Sequence, residues 1–163
     1  MKKIFILLTL LCSGCVSISL MPPEQRKLEI IEQSGVSAKV AYSRALAWMA
    51  KSYVDFQSAF QLRDEMSLRI ISPMHVMCPS NFKIGSIFDT NEYKVRLSMD
   101  FQAKENRVRF LVEDIQVFTT MRGDYPSGPQ NAGELDRLRS VCLQPVLDAF
   151  LDDITGKTSH PDW

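Results

Sequence analysis

From Tyr93 to Phe101 apolar and polar residues alternate without a break. Tyr93, Val95, Leu97, Met99 and Phe101 fall on one side, and Lys94, Arg96, Ser98 and Asp100 on the other. A period of two held this long predicts an antiparallel strand with one face buried and the other in water. After a turn over Ala103–Asn106, Val108, Phe110 and Val112 alternate with Arg107, Arg109 and Leu111. The phase slips at Glu113-Asp114 and resumes at Ile115 and Val117, as a β-bulge requires. Arg26–Gln33 reads as an opening strand, with Leu28 and Ile30 set among charges. Ala59–Arg63 and Ser67–Ile71 flank Asp64-Glu65-Met66 in a hairpin pattern. Pro73 interrupts the second of these strands or places it at a sheet edge, and Met74, Val76 and Met77 continue it beyond a bulge.

The period changes in two places. From Ala38 to Phe56 the residues Ala41, Ala45, Trp48, Met49, Tyr53 and Phe56 recur at the spacing of one helix face. Ser37 stands where an N-cap belongs. Trp48 lies on the stripe and is expected in the core, whereas Arg44 and Lys51 lie off it and are expected in solvent. Asn131 followed by Glu134 matches a helix start, and the last helix then runs to about Ile154. Its stripe is Leu135, Leu138, Cys142, Val146 and Ala149, widened by Leu147, Phe150, Leu151 and Ile154, and Pro145 should kink it. Pro79–Asn91 reads as a loop with a short strand at Lys83–Phe88. Thr119–Gly133 reads as a long Gly- and Pro-containing loop.

The order β-α-β-β-β-β-α predicts an α+β fold: a single antiparallel sheet of about five strands with two helices packed on one face. The other face, along the two clearest strands, presents Lys94, Arg96, Ser98, Arg107 and Arg109. A polar, basic-leaning open face is expected there, suited to a polar partner.

Tyr42-Ser43-Arg44-Ala45-Leu46-Ala47-Trp48, the hairpin Phe60–Ile71, the Tyr-initiated strand Tyr93–Phe101 and the Arg- and Phe-containing strand Arg107–Phe118 resemble a family of bacterial envelope proteins. These carry a domain of unknown function (number 4468) with a TATA-binding-protein-like (TBP-like) fold. The resemblance covers about Arg26–Ile154. Its motifs are mainly core aromatics, and the family's usual Lys-Asp-Gly turn is Lys104-Glu105-Asn106 here. The resemblance implies a fold and a compartment, and no mechanism, since fold does not fix function.

The N-terminus adds an address. Met1-Lys2-Lys3, the apolar run Ile4–Leu11 broken by Thr9, and the small residues after it have the parts of a bacterial secretory signal. The run is too short to span a bilayer. Ser13-Gly14-Cys15 resembles the lipobox of bacterial lipoproteins, in which the Cys is acylated, although Cys12 stands where that family usually has Leu. The expected organisation is a signal peptide over residues 1–14, a lipidated N-terminus and linker over 15–25, the domain over 26–154 and a flexible tail over 155–163. Acyl chains on Cys15 would hold the protein to a membrane. Cys15 is followed by Val16 and not by the Asp that marks inner-membrane retention in many enterobacterial lipoproteins. By that resemblance the expected location is the outer membrane, facing the periplasm.

The chain has 163 residues, and 19 Lys and Arg balance 19 Asp and Glu. Losing the signal removes Lys2 and Lys3, which leaves 17 basic residues against 19 acidic ones. That balance excludes a basic nucleic-acid binder. Of the four cysteines, Cys12 leaves with the signal and Cys15 is acylated. Cys78 and Cys142 remain, as a disulfide favoured by an oxidising compartment or as two buried thiols. Neither they nor His75 have the spacing of a metal site. His75 and His160 lack any GxSxG or HExxH context, and no carboxylate pair can be assigned acid and base roles. No catalytic residue, metal or cofactor is therefore expected. The expectation is a non-enzymatic envelope module that binds a protein or cell-wall partner. The alternative is a lipid or small-amphiphile binder with a pocket between sheet and helices.

Overall fold

The two longest strands, β4 (Tyr93–Lys104) and β5 (Arg107–Thr119), set the frame of the sheet. They appear in a computed structural model that describes residues 21–52, 60–83, 92–119, 129 and 131–157. Around them lie β1 (Leu28–Gln33), β2 (Leu62–Asp64) and β3 (Arg69–Met77). The five strands form one sheet in the order β1-β5-β4-β3-β2, and every neighbouring pair is antiparallel. The helices are α1 (Ala38–Ser52), α2 (Ala132–Leu138) and α3 (Gln144–Thr155), the last two joined by a π-turn over Arg139–Leu143. With a short 3₁₀ turn at Pro23–Gln25, the order is the expected β-α-β-β-β-β-α.

Alternation does what the pattern predicts. Tyr93, Val95, Leu97, Met99, Phe101 and Ala103 are buried along β4, and Val108, Phe110, Val112, Ile115 and Val117 along β5. The phase slip in β5 is a bulge. Arg96 pairs with Gln116 but Ser98 pairs with Glu113, and Asp114 takes the left-handed conformation, φ 51°. The turn between β4 and β5 is Glu105-Asn106. Asn106 has φ 61°, and Asn tolerates that region better than most residues do.

Both helical layers cover this apolar face. Phe150 of α3 is 1% exposed and packs its ring at 4.9 Å from Trp48, 5.0 Å from Phe110 and 5.8 Å from Phe101. One side chain thus joins α1, α3 and both central strands. Trp48, half-buried, packs against the core from its place on the stripe. The space between sheet and helices is filled by these rings together with Met49, Ile70, Met99, Leu138 and Ile154, all buried.

Four local expectations change. Pro145 does not act alone as a kink. The π-turn precedes it, with the Gln144 amide donating to the Arg139 carbonyl five residues back. The wide turn inserts one residue into the helical run, which rotates the downstream helix by about 100°. The buried stripe accordingly moves to Leu143, Leu147, Phe150, Leu151 and Ile154, leaving Ala149 exposed and Val146 half-buried. β3 passes through Pro73 with no break in register from Arg69 to Met77, so no bulge follows the proline. β2 reaches only Ile71, so Pro73 sits where β3 has become an edge strand, as a residue without an amide donor must. Arg44 is half-buried and not simply solvated, donating to the Asp153 carbonyl at 3.2 Å. Ser37 and Asn131 do cap their helices, by accepting from the amides of Val40 and Glu134.

Cys78, just past β3, and Cys142, in the π-turn, are joined by a disulfide. It ties the end of an edge strand to the helical layer. The signal segment 1–14 and Cys15, the helix end at Tyr53 and Phe56, the short strand expected at Lys83–Phe88 beyond its first residue, most of the Thr119–Gly133 loop and the tail from 158 on lie outside the described residues. Among the described residues no helix is long and apolar enough to cross a membrane.

Candidate binding face of the sheet

The helices α1, α2 and α3 take one face of the sheet, and among the described residues no helix covers the other. Register brings its residues into rows. Ile31 of β1 pairs with Arg109 of β5, which pairs with Gln102 of β4, which pairs with Arg69 of β3. Towards the β4–β5 turn the next row is Gln33, Arg107 and Lys104. In the other direction come Glu29, Leu111, Asp100 and Ile71, then Glu113, Ser98 and Pro73. Beyond the bulge lie Gln116, Arg96 and His75, then Phe118, Lys94 and Met77.

All five residues expected on this face are on it. Arg96 and Arg107 are exposed, and Lys94, Ser98 and Arg109 are half-buried. They do not form one cluster. Arg107 and Arg109 gather near the β4–β5 turn, and Lys94 and Arg96 lie beside His75 at the other end. Gln102 lies six residues along β4 from Arg96, about 20 Å of strand. The face is also less uniformly polar than its sequence suggested. Ile31 is 62% exposed and Met77 56%, and Leu111 and Phe118 are half-buried between the charges.

A carboxylate organises the middle of the face. The Asp100 side chain is only 7% exposed. Arg69 donates to it through two nitrogens, at 2.9 and 2.8 Å, and Arg109 approaches it at 3.7 Å. Arg109 donates in turn to Glu29 at 2.6 Å. Asp100 thus raises the Arg69 guanidinium further above its ordinary range, by hydrogen bonding first and charge second. Asp100→Ala should cost about 1.5–3 kcal/mol, towards the lower end because Arg69 can turn to water. A urea titration checks it, and an unchanged midpoint would show the bridge to be idle.

At the far end, partial burial and the charges of Lys94 and Arg96 hold His75 below its usual value of 6.5. The unfolded chain therefore binds this proton more readily than the folded one. The His75 contribution to stability is complete above the unfolded value and falls as pH drops through and below 6.5. His75→Gln should flatten that acid-side loss when thermal midpoints are compared across pH. An unaltered profile would remove His75 as its source.

Near the β4–β5 turn the face is concave. A cavity of about 150 Å³ is lined by Ile31, Gln102, Lys104, Arg107 and Arg109. Arg107 and Arg109 belong to the face foreseen from sequence. Gln102 and Lys104 were missed, although extending the Tyr93–Phe101 alternation by three residues puts both on the same side. Ile31 was missed because Leu28 and Ile30, which point inward, carry the apolar pattern of β1. Among the described residues no group of three or more His, Cys, Asp and Glu could hold a metal ion.

Comparisons with known proteins fit this architecture. A family model described as a domain of unknown function (DUF4468) with TBP-like fold matches residues 28–118. A TBP-like protein from Parabacteroides distasonis is similar in structure, with a TM-score of 0.56 at 14% identity, over 82% of this chain and 94% of that one. A DUF4468 family protein from Bacteroides ovatus is similar as well, with a TM-score of 0.51 at 13% identity, over 90% of this chain and 94% of that one. At such identities the likeness concerns fold. No curated protein matches the chain.

Proposed function

Since the chain belongs to the family of domains of unknown function with TBP-like fold, we propose that it is an envelope-anchored, non-enzymatic module that binds a partner with the open face of its sheet. The observation that carries this is the division of the sheet. One face is sealed by Phe150 and its neighbours, and the other presents cations and apolar side chains together. Lys94, Arg96, Lys104 and Arg107 have no ion pair among the described residues. Such a mixed surface suits a polar or acidic partner in the envelope better than it suits a reaction, since among the described residues no nucleophile on it is hydrogen-bonded to a base.

The anchor in this proposal is Cys15, acylated in the manner of the lipobox it resembles, on the periplasmic side of the outer membrane. Each buried methylene of an acyl chain contributes about 0.8 kcal/mol. Cys15→Ala should shift the protein to a soluble periplasmic fraction and change its migration. Unchanged fractionation and migration would remove the anchor. For the binding surface, reversing both ends of the face together, with Lys94→Glu, Arg96→Glu, Lys104→Glu and Arg107→Glu, should abolish enrichment of an envelope partner after crosslinking, without lowering thermal stability. Enrichment that survives the reversal would move the interaction to another surface.

A further inference from the structure

We infer that the cavity beside the β4–β5 turn binds a carboxylate that carries a short aliphatic arm. The inference rests on the open face being the binding surface and names the chemistry it recognises there. Lys104 and Arg107 are directly opposed across the two strands, and like charges in that position repel one another. Arg109 stands one row away on the same face. Its charge is answered by Glu29 at 2.6 Å and, more distantly, by Asp100 at 3.7 Å. Lys104 and Arg107 have no such partner among the described residues, and Glu105 at the tip of the turn is not part of the lining. The cavity therefore holds two unanswered positive charges, which a single anion would relieve.

The rest of the lining narrows the anion. Arg107 offers a planar fork of donors, which matches a carboxylate in two-point contact. The Gln102 amide, on the next row, can add a donor. Ile31 supplies an apolar wall that is 62% exposed. A space of about 150 Å³ is of the size that takes up a benzene-sized molecule, so the arm is short. The rim is held in place beforehand. The Ser34 amide donates to the Asn106 carbonyl at 3.0 Å and pins the turn against the end of β1, while Glu29 orients Arg109. With the turn and Arg109 fixed in advance, less conformational freedom is given up when the pocket fills.

A carboxylate of this kind is either a free small acid or the C-terminus of a peptide, and two probes separate these sources. The test is a titration of the purified full-length chain, followed by backbone amide shifts. Hexanoate should move the amides of Ile31, Gln102 and Arg107 saturably. Hexanamide, its uncharged counterpart, should bind more weakly by about tenfold or more. Lys104→Gln and Arg107→Gln should each weaken hexanoate by a similar factor, while thermal stability holds or rises because the opposed charges are gone. A peptide that competes only with a free C-terminus identifies a peptide ligand, and one that fails to compete leaves the free acid. Equal binding of hexanamide, or no saturable shift at all, overturns the inference. Shifts centred on Lys94 and Arg96 overturn it too, yet keep the open face as the binding surface.

Discussion

Replacing Cys78 and Cys142 together by Ser should lower stability by about 4 kcal/mol, the change a urea titration would read as a large drop in midpoint. The bond spans 64 residues of sequence, so it forbids the unfolded chain a large set of open conformations. In the chain-entropy description the stabilisation grows with the logarithm of that span. The folded state has its own stake. Cys78 follows the part of β3 that has lost β2 as a neighbour, and its amide donates to the Tyr93 carbonyl at 2.9 Å. The bond is the covalent tie between that end of the sheet and the helical layer. Protein titrated with and without reductant gives an independent reading. Coincident curves for the oxidised, reduced and doubly substituted forms would mean that the crosslink stabilises nothing.

Phe150→Ala should cost about 3–5 kcal/mol, the range for removing a buried aromatic ring. The ring meets Trp48, Phe101 and Phe110 within 5.8 Å, so truncation would leave a cavity walled by three other rings. These rings sit on a helix and two central strands of the sheet and cannot all close over the gap. By contrast Ala149→Ser, one residue earlier and on the exposed side of α3, should change stability by less than about 0.5 kcal/mol. Comparable losses from both would mean that the helical face has been misassigned.

The fold was legible where a period stayed in one phase. β4 and β5 declared themselves through period two, and the slip at Glu113-Asp114 located the bulge because one extra residue inverts every side chain after it. The π-turn left a similar mark, harder to see. Its extra residue moves the stripe from Leu135, Leu138 and Cys142 to Leu143, Leu147 and Phe150, and Pro145 drew the explanation to itself. The candidate face was legible for the same reason as the strands, since whatever does not point inward points out. Partnership was not legible. Asp100 answers Arg69, 31 residues away, and Arg109 answers Glu29, 80 residues away. Such pairs depend on which strands become neighbours and in what register, which no single strand records. For the same reason the opposed charges of Lys104 and Arg107 became meaningful only once Arg109 and Ile31 were placed beside them.

In the proposed function the open sheet face, and not the helical one, meets a partner. A photoreactive residue placed in turn at Arg96, Arg107 and Ile31, and at the exposed α1 position Lys51, tests it in intact cells. Discrete crosslinked species are expected from the three sheet positions and none from Lys51. Crosslinking from Lys51 with silence from the sheet positions would contradict it.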